Sequence, residues 1–277
     1  GHVFATKSDT ETIVHLYEEI GEACVERLFG MFAFAIWDSR KRKLLLARDR
    51  VGKKPLYYAH KDSRVAFGSE MKSFVAGGLV ERNVDPESLD CYFTLGYVPS
   101  PRSILKDVRK LRPGHFMVFD QAGLRERPYW SLSFAPTDPI SEYDAEARLA
   151  ELVEEAVGCR LMSEVPLGAF LSGGIDSSLV VGQMAKVMDD PVKTNAIGFN
   201  VEKYDELPHA RAVAEACNTE HYEYTVEPDA VKIIDLLGWH FDEPLADPSA
   251  IPTYYVCKMA RQKVTVAISG DGGDETF

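Results

Sequence analysis

Seven residues, Ser172-Gly173-Gly174-Ile175-Asp176-Ser177-Ser178, place three hydroxyls, two adjacent glycines and a carboxylate where an apolar strand run, 167–171, hands over to a helical run. The glycines let the backbone turn tightly, so that several N–H groups can converge on one anion. The serines add donors, and the start of the following helix adds partial positive charge. An oxyanion such as a phosphate fits that arrangement. Ser-Gly-Gly alone would equally serve as a turn before a helix cap; the full seven residues after a buried strand favour the anion.

A second loop, Ser269-Gly270-Asp271-Gly272-Gly273-Asp274-Glu275, follows the apolar run 264–268. Its carboxylates would repel a phosphate unless a divalent cation lay between them, and magnesium bridges carboxylates to phosphate oxygens. The plainer reading is a solvated turn, since Asp-Gly is turn chemistry. Two other nucleotide motifs fail. Gly52-Lys53-Lys54 lacks the earlier glycine and the hydroxyl of a Walker loop, and the stretch from Gly270 has Glu275 where a dinucleotide fingerprint needs glycine.

The elements that must hold these loops fall into two grammars. Residues 1 to about 130 show short apolar runs (31–37, 43–48, 55–59, 65–67 and 115–119) separated by polar turns, which predicts stacked antiparallel sheets. Residues 131–144 lack periodicity and predict a linker. From 145 to 277, helical spacing alternates with buried strands at 167–171, 192–199, 221–226 and 264–268. That alternation predicts an α/β, doubly wound parallel sheet with ligands at the carboxyl ends of its strands. The fold class is therefore α+β in the first half and α/β in the second.

Composition bounds the partners. The chain of 277 residues has a formal net charge of -12, with 45% hydrophobic and 27% charged residues. Acid excess points to small-molecule substrates and away from nucleic acid. No run approaches the roughly 18 apolar residues of a membrane span, so no membrane partner is expected. The five cysteines have no pairing or zinc spacing, which predicts reduced thiols and a cytoplasmic setting.

The motif Ser172–Ser178 resembles the pyrophosphate loop of the N-type ATP pyrophosphatases, and the surrounding chain resembles the glutamine-hydrolysing asparagine synthetases. The resemblance implies ATP and Mg2+ as cofactors. Ser172, Gly173, Gly174, Asp176, Ser177 and Ser178 would surround pyrophosphate, with Asp176 and Asp274 at its magnesium. Ser269 and Gly270 would touch the AMP part, and Asp271, a Glu in many family members, would be the catalytic base for ammonia. Phe170 and Ile197 would offer backbone contacts to adenosine. Asp247 stands where well-known members place an arginine, so aspartate as acceptor is inferred from the family rather than from this loop.

The first half resembles the later part of a class II glutamine amidotransferase domain, an Ntn-hydrolase-like fold. The matching text is Ser8-Asp9-Thr10-Glu11-Thr12, Leu28-Phe29-Gly30-Met31-Phe32-Ala33-Phe34, the stretch from Arg48-Asp49-Arg50 to Tyr57-Tyr58, and Phe67-Gly68-Ser69-Glu70-Met71-Lys72. Asp9 would bind the α-amino group of glutamine, while Ser8 and Glu11 also predict a capping box. Arg48, Asp49 and Arg50 read best as a solvated strand end. The chain starts at Gly1 rather than at the family's nucleophilic cysteine and ends just after the acidic loop. Both domains are thus expected to be incomplete, and the isolated chain is expected not to hydrolyse glutamine. The substrates implied are glutamine, aspartate and ATP; the family resemblance leaves room for a homodimer.

Overall fold

The computed structural model describes residues 1–134, 139–200 and 205–273. The chain separates into two compact units. The first comprises Gly1–Ala135 with Leu236–Ala246, and the second comprises Pro136–Asp235 with Asp247–Phe277.

In the first unit, helix α1 (Asp9–Ile20) and a 3-10 segment (Gly21–Arg27) precede strands β1 (Ala33–Asp38) and β2 (Lys43–Arg48). Strands β3 (Tyr57–Lys61) and β4 (Arg64–Gly68), helices α2 (Lys72–Ala76) and α3 (Pro86–Leu95), and strands β5 (Arg109–Lys110), β6 (His115–Asp120) and β7 (Gly123–Pro128) follow. They form one antiparallel sheet in the order β1-β2-β6-β7 and a second in the order β4-β3-β5. Alternation along β2 explains its unbroken apolar run. Leu45 and Ala47 enter a cluster with Tyr17, Cys24, Val25, Phe116 and Val118, while Leu44 and Leu46 enter another with Leu56, Leu111 and Met117. A strand covered on both faces has no polar positions to show. The first face is roofed by α1 and the 3-10 segment. Tyr58 and Val65 of the second sheet pack against the other. Phe74 of α2 and Met71 then close over Tyr57 and Ala59.

The second unit begins with α4 (Glu142–Gly158), capped by the Ser141 hydroxyl, which accepts from the Asp144 N–H at 3.1 Å. This helix takes up the last three residues of the expected linker. Strands β8 (Leu167–Phe170), β9 (Lys193–Phe199), β10 (Glu220–Val226) and β11 (Val266–Ile268) pair in parallel in the order β10-β9-β8-β11. Between them in the chain run α5 (Ile175–Val187), α6 (Leu207–Ala216), α7 (Ala230–Phe241), whose residues from Leu236 belong to the first unit, and α8 (Ala250–Ala260). Ala169, Leu171 and Ala196 share a core with Val157 of α4, Val181 and Met184 of α5, and Ala210 and Ala214 of α6. Residues 168, 170, 195 and 197 therefore present the opposite sheet face.

Expected and observed elements differ at several places. Helix α3 has no counterpart among the expected elements, although Asp85 precedes Pro86 at its first position and apolar residues follow at helical spacing. Strand β5 has two residues, too short for a periodic signal. The acidic segment after α7 belongs to the first unit as far as Ala246 and to the second from Asp247. Asp242 pairs with Lys72 at 3.0 Å, and Glu243 accepts from the Ile104 N–H at 2.8 Å and pairs with Lys110 at 2.5 Å, all within the first unit. No described helix is long and apolar enough to cross a membrane.

Candidate functional site

The loop 172–178 sits where β8 ends and α5 begins. Leu171 donates its N–H to Asn195 O at 3.0 Å, carrying the sheet ladder one residue past β8. Gly173 then turns with φ +84°, and a Cβ there would stand 2.5 Å from Ala210 N and 2.6 Å from His209 Cβ. Backbone of α6 thus occupies the space of any side chain at 173. The serines order the turn from within. Ser172 and Ser177 share a hydroxyl bond at 2.9 Å, the Gly174 N–H donates to Ser172 Oγ at 3.3 Å, and Ser178 Oγ donates to Gly174 O at 2.6 Å. Gly174 caps α5 without a side-chain hydrogen bond, so the first N–H groups of the helix lack the usual capping side chain.

The second loop lies against this one. A Cβ on Gly270 would stand 2.7 Å from Ser177 N and 2.9 Å from Asp176 Cβ, and one on Gly273 would stand 2.5 Å from each carboxylate oxygen of Asp176. Glycine at both positions lets the loops touch. Ser269 Oγ donates to Asp271 Oδ2 at 2.8 Å, and the Gly273 N–H donates to Gly270 O at 3.2 Å. Asp176 forms no ion pair among the described residues. An unneutralised carboxylate beside a phosphate-type turn is the donor set a magnesium ion takes. Asp274, assigned to the same ion, lies outside the described residues.

Phe170 pairs with Asn195, and Ile197 with Tyr224, in adjacent ladders. Both expected adenosine contacts therefore lie on the sheet face that turns away from the α5 core. Between them is a residue the motifs did not flag. Asn195 is fully buried, and neither its side-chain oxygen nor its nitrogen finds a hydrogen-bond partner among the described residues. Its only sequence signal is an amide inside the strand Thr194-Asn195-Ala196-Ile197.

In the first unit, Asp9 is the exposed first residue of α1, where its carboxylate accepts from the Ser8 and Thr10 hydroxyls at 3.5 and 3.4 Å. Ser8 caps the helix by accepting from the Thr10 N–H at 3.2 Å. The capping box does not close. Glu11 accepts instead from the N–H groups of Ala5 and Thr6, each at 2.6 Å, folding the preceding segment back on the helix.

The strand end at Arg48–Asp49 is the reverse of solvated. Asp49 is 1% exposed and accepts from the Lys53 and Lys54 N–H groups at 2.8 and 2.9 Å. Arg48 donates to the carbonyls of Leu111, Gly52 and Lys54, each at 2.8 Å. The two side chains replace backbone pairing in an irregular segment, which charge patterning alone cannot distinguish from a wet surface. Arg50 lies over the ring of Phe29 at 4.2 Å. Cys24 is buried, and burial pushes its thiol up to about 11, so it is no nucleophile. All five cysteines are free. Asp247 is exposed and accepts from the Ser249 N–H at 2.8 Å, a turn that leads into α8.

These features define a chain with an antiparallel layered domain ahead of a parallel-sheet domain that carries a phosphate-type loop and an acidic loop side by side. Comparison with known proteins matches residues 1–130 to a glutamine amidotransferase domain and residues 148–277 to the asparagine synthase family. The chain belongs to the asparagine synthetase family. A Methanocaldococcus jannaschii protein named as a putative glutamine-hydrolyzing asparagine synthetase is 41% identical over 98% of this chain and 54% of its own length. Asparagine synthetase (glutamine-hydrolyzing) 1 of Bacillus subtilis is 38% identical over 100% of this chain and 44% of its own. The Penicillium rubens protein named amidase chyE is 31% identical over 99% and 43%. The chain spans about half the length of the curated relatives it matches.

Proposed function

We propose that this chain serves glutamine-dependent asparagine synthesis. ATP adenylates the side-chain carboxylate of aspartate: an aspartate oxygen bonds to the α-phosphorus and the bond to pyrophosphate breaks. Ammonia released from glutamine then attacks the acyl carbon, AMP leaves, and asparagine forms. The observation that carries this reading is the contact of Gly270 and Gly273 with Asp176, which sets an acidic loop directly against a phosphate-type turn.

In this reading Ser172, Gly173, Gly174, Ser177 and Ser178 cradle the departing pyrophosphate by N–H and hydroxyl donors. Asp176 and Asp274 hold magnesium, which neutralises charge on the phosphates. Phe170, Ile197, Ser269 and Gly270 border the AMP part, Asp271 accepts a proton from the attacking ammonia, and Asp9 binds the α-amino group of glutamine. The loops act by positioning and charge rather than by covalent catalysis.

A second reading keeps the chemistry and changes the acceptor. Asp247 offers no cation for a carboxylate, and one relative bears the name amidase, so another amide-forming ligase of the same architecture is the alternative. Aspartate-dependent ATP–pyrophosphate exchange by the full-length protein tests the choice. Exchange driven only by a different carboxylic acid reassigns the substrate, and no exchange with any acid removes the adenylation reading.

A further inference from the structure

We propose that Asn195 determines base specificity, pairing through both ends of its amide with the exocyclic amino group and an adjacent ring nitrogen of adenine. This role rests on the adenylation reading and deepens it. The loops at 172–178 and 269–275 serve phosphates and their charge, and neither distinguishes one base from another.

Register places the amide at the nucleotide's edge of the sheet. Phe170, the last residue of β8, pairs with Asn195, and the Leu171 N–H donates to Asn195 O at 3.0 Å. Asn195 is therefore level with the point where β8 gives way to the phosphate-type loop. Strand β11 ends at Ile268, opposite Ala169, and Ser269 follows directly beside the same level. Alternation along the strands turns Asn195, Phe170 and Ile197 to one face. Residues expected at the AMP part thus flank Asn195 both along its own strand and across the ladder.

The amide itself supplies the chemistry. Asn195 is fully buried, and its oxygen and nitrogen both lack a hydrogen-bond partner among the described residues. Tyr224, which pairs with Ile197, brings a buried hydroxyl in the same condition to that face. Buried polar atoms are normally satisfied, because leaving them unpaired destabilises the fold. Atoms that gain their bonds only from a ligand turn that cost into selectivity, since an analogue lacking one partner leaves the site unpaired. Adenine offers a donor next to an acceptor, a pattern that an asparagine amide answers with two hydrogen bonds. Phe170 and Ile197 are each partly exposed, so solvent comes within one residue of the amide, and the Phe170 ring turns aside as the base enters.

The test is calorimetric titration of the full-length protein, with magnesium, against ATP and against purine riboside triphosphate, which lacks the exocyclic amino group. The parent protein should bind ATP about tenfold more tightly than the analogue, the scale of one hydrogen bond. Asn195→Leu keeps a similar volume and removes both polar atoms. It should bind the two nucleotides about equally, while its Tm without nucleotide stays level or rises because unpaired groups have left the interior. Asn195→Asp, which keeps the shape and loses the donor, should weaken ATP in the same direction. An ATP preference that survives in Asn195→Leu, or a Tm that falls with that preference intact, overturns the role of Asn195 and leaves adenylation standing. Failure of the parent protein to bind ATP overturns the adenylation reading and this role with it.

Discussion

The carboxylate of Asp176 rests against Gly273, so closely that a Cβ at 273 would lie 2.5 Å from both of its oxygens. The two loops are therefore matched in shape at the atoms that carry the charge. Gly273→Ala would push that carboxylate aside by rotation about its own side-chain bonds, with little strain in the fold. The expected outcome is a stability change within about 1 kcal/mol, since only a partly exposed side chain must move. ATP–pyrophosphate exchange by the full-length protein should nevertheless fall about 100-fold, the scale of a 1 Å misplacement in a positioned site. Urea unfolding and exchange assays on one preparation check both. A variant that keeps full exchange shows that Asp176 needs no defined position.

Gly173 should respond in the opposite way. Its φ of +84° strains any other residue, and backbone of α6 fills the place of a side chain. Neither can be relieved by rotating a bond. Gly173→Ala should cost roughly 3 kcal/mol or more of stability, combining positive-φ strain with overpacking. Chemical denaturation reads it as a lowered midpoint at unchanged slope.

These glycines also show how much of the molecule is legible in its residue order. The two loops carry their chemistry in residue types, because turn glycines, hydroxyls and carboxylates act locally and sit together in the chain. The parallel sheet is readable from its apolar runs, and the antiparallel one from runs between polar turns. What stays hidden depends on distant partners. Asp49 and Arg48 look like a wet strand end until the carbonyls and N–H groups they serve are placed around them. Asp242 and Glu243 carry no local signal of their partners until Lys72, Ile104 and Lys110 are brought to them. Asn195 looks like a tolerated polar residue until its strand neighbours and the burial of the sheet leave its amide without a partner among the described residues.

The burial of Asp49 has a measurable consequence. Its carboxylate belongs to a residue 1% exposed and accepts two backbone N–H groups. Asp49→Ala would remove the acceptor of both N–H groups, hydrogen bonds to a charged group worth roughly 1.5–3 kcal/mol each before relaxation and water replacement. A loss of about 3 kcal/mol is expected for the first unit, measured by denaturant midpoint. A surface charge would cost less than about 0.5 kcal/mol, so the two descriptions are readily separated.

Stability should also depend on pH through His221. Its Nδ1 shares a hydrogen bond with Thr194 Oγ1 at 2.8 Å, and its Nε2 is 3.4 Å from Glu223, which Arg211 also engages at 2.6 Å. Burial lowers the imidazole pKa below its ordinary value; Glu223 opposes that shift and Arg211 reinforces it. A depressed pKa in the folded state means that the unfolded chain binds the proton more readily. The neutral ring's contribution is thus fully present above about pH 6.5, the unfolded value, and is lost as pH falls through that value toward the folded pKa. Stability measured from about pH 7.5 down to about 5 should decline in the parent chain, with the decline starting near the unfolded imidazole value. His221→Gln, which keeps a polar partner for Thr194 and cannot titrate, should flatten that part of the curve. An identical slope in both proteins would show that the ring takes up its proton equally well in the folded and unfolded chain.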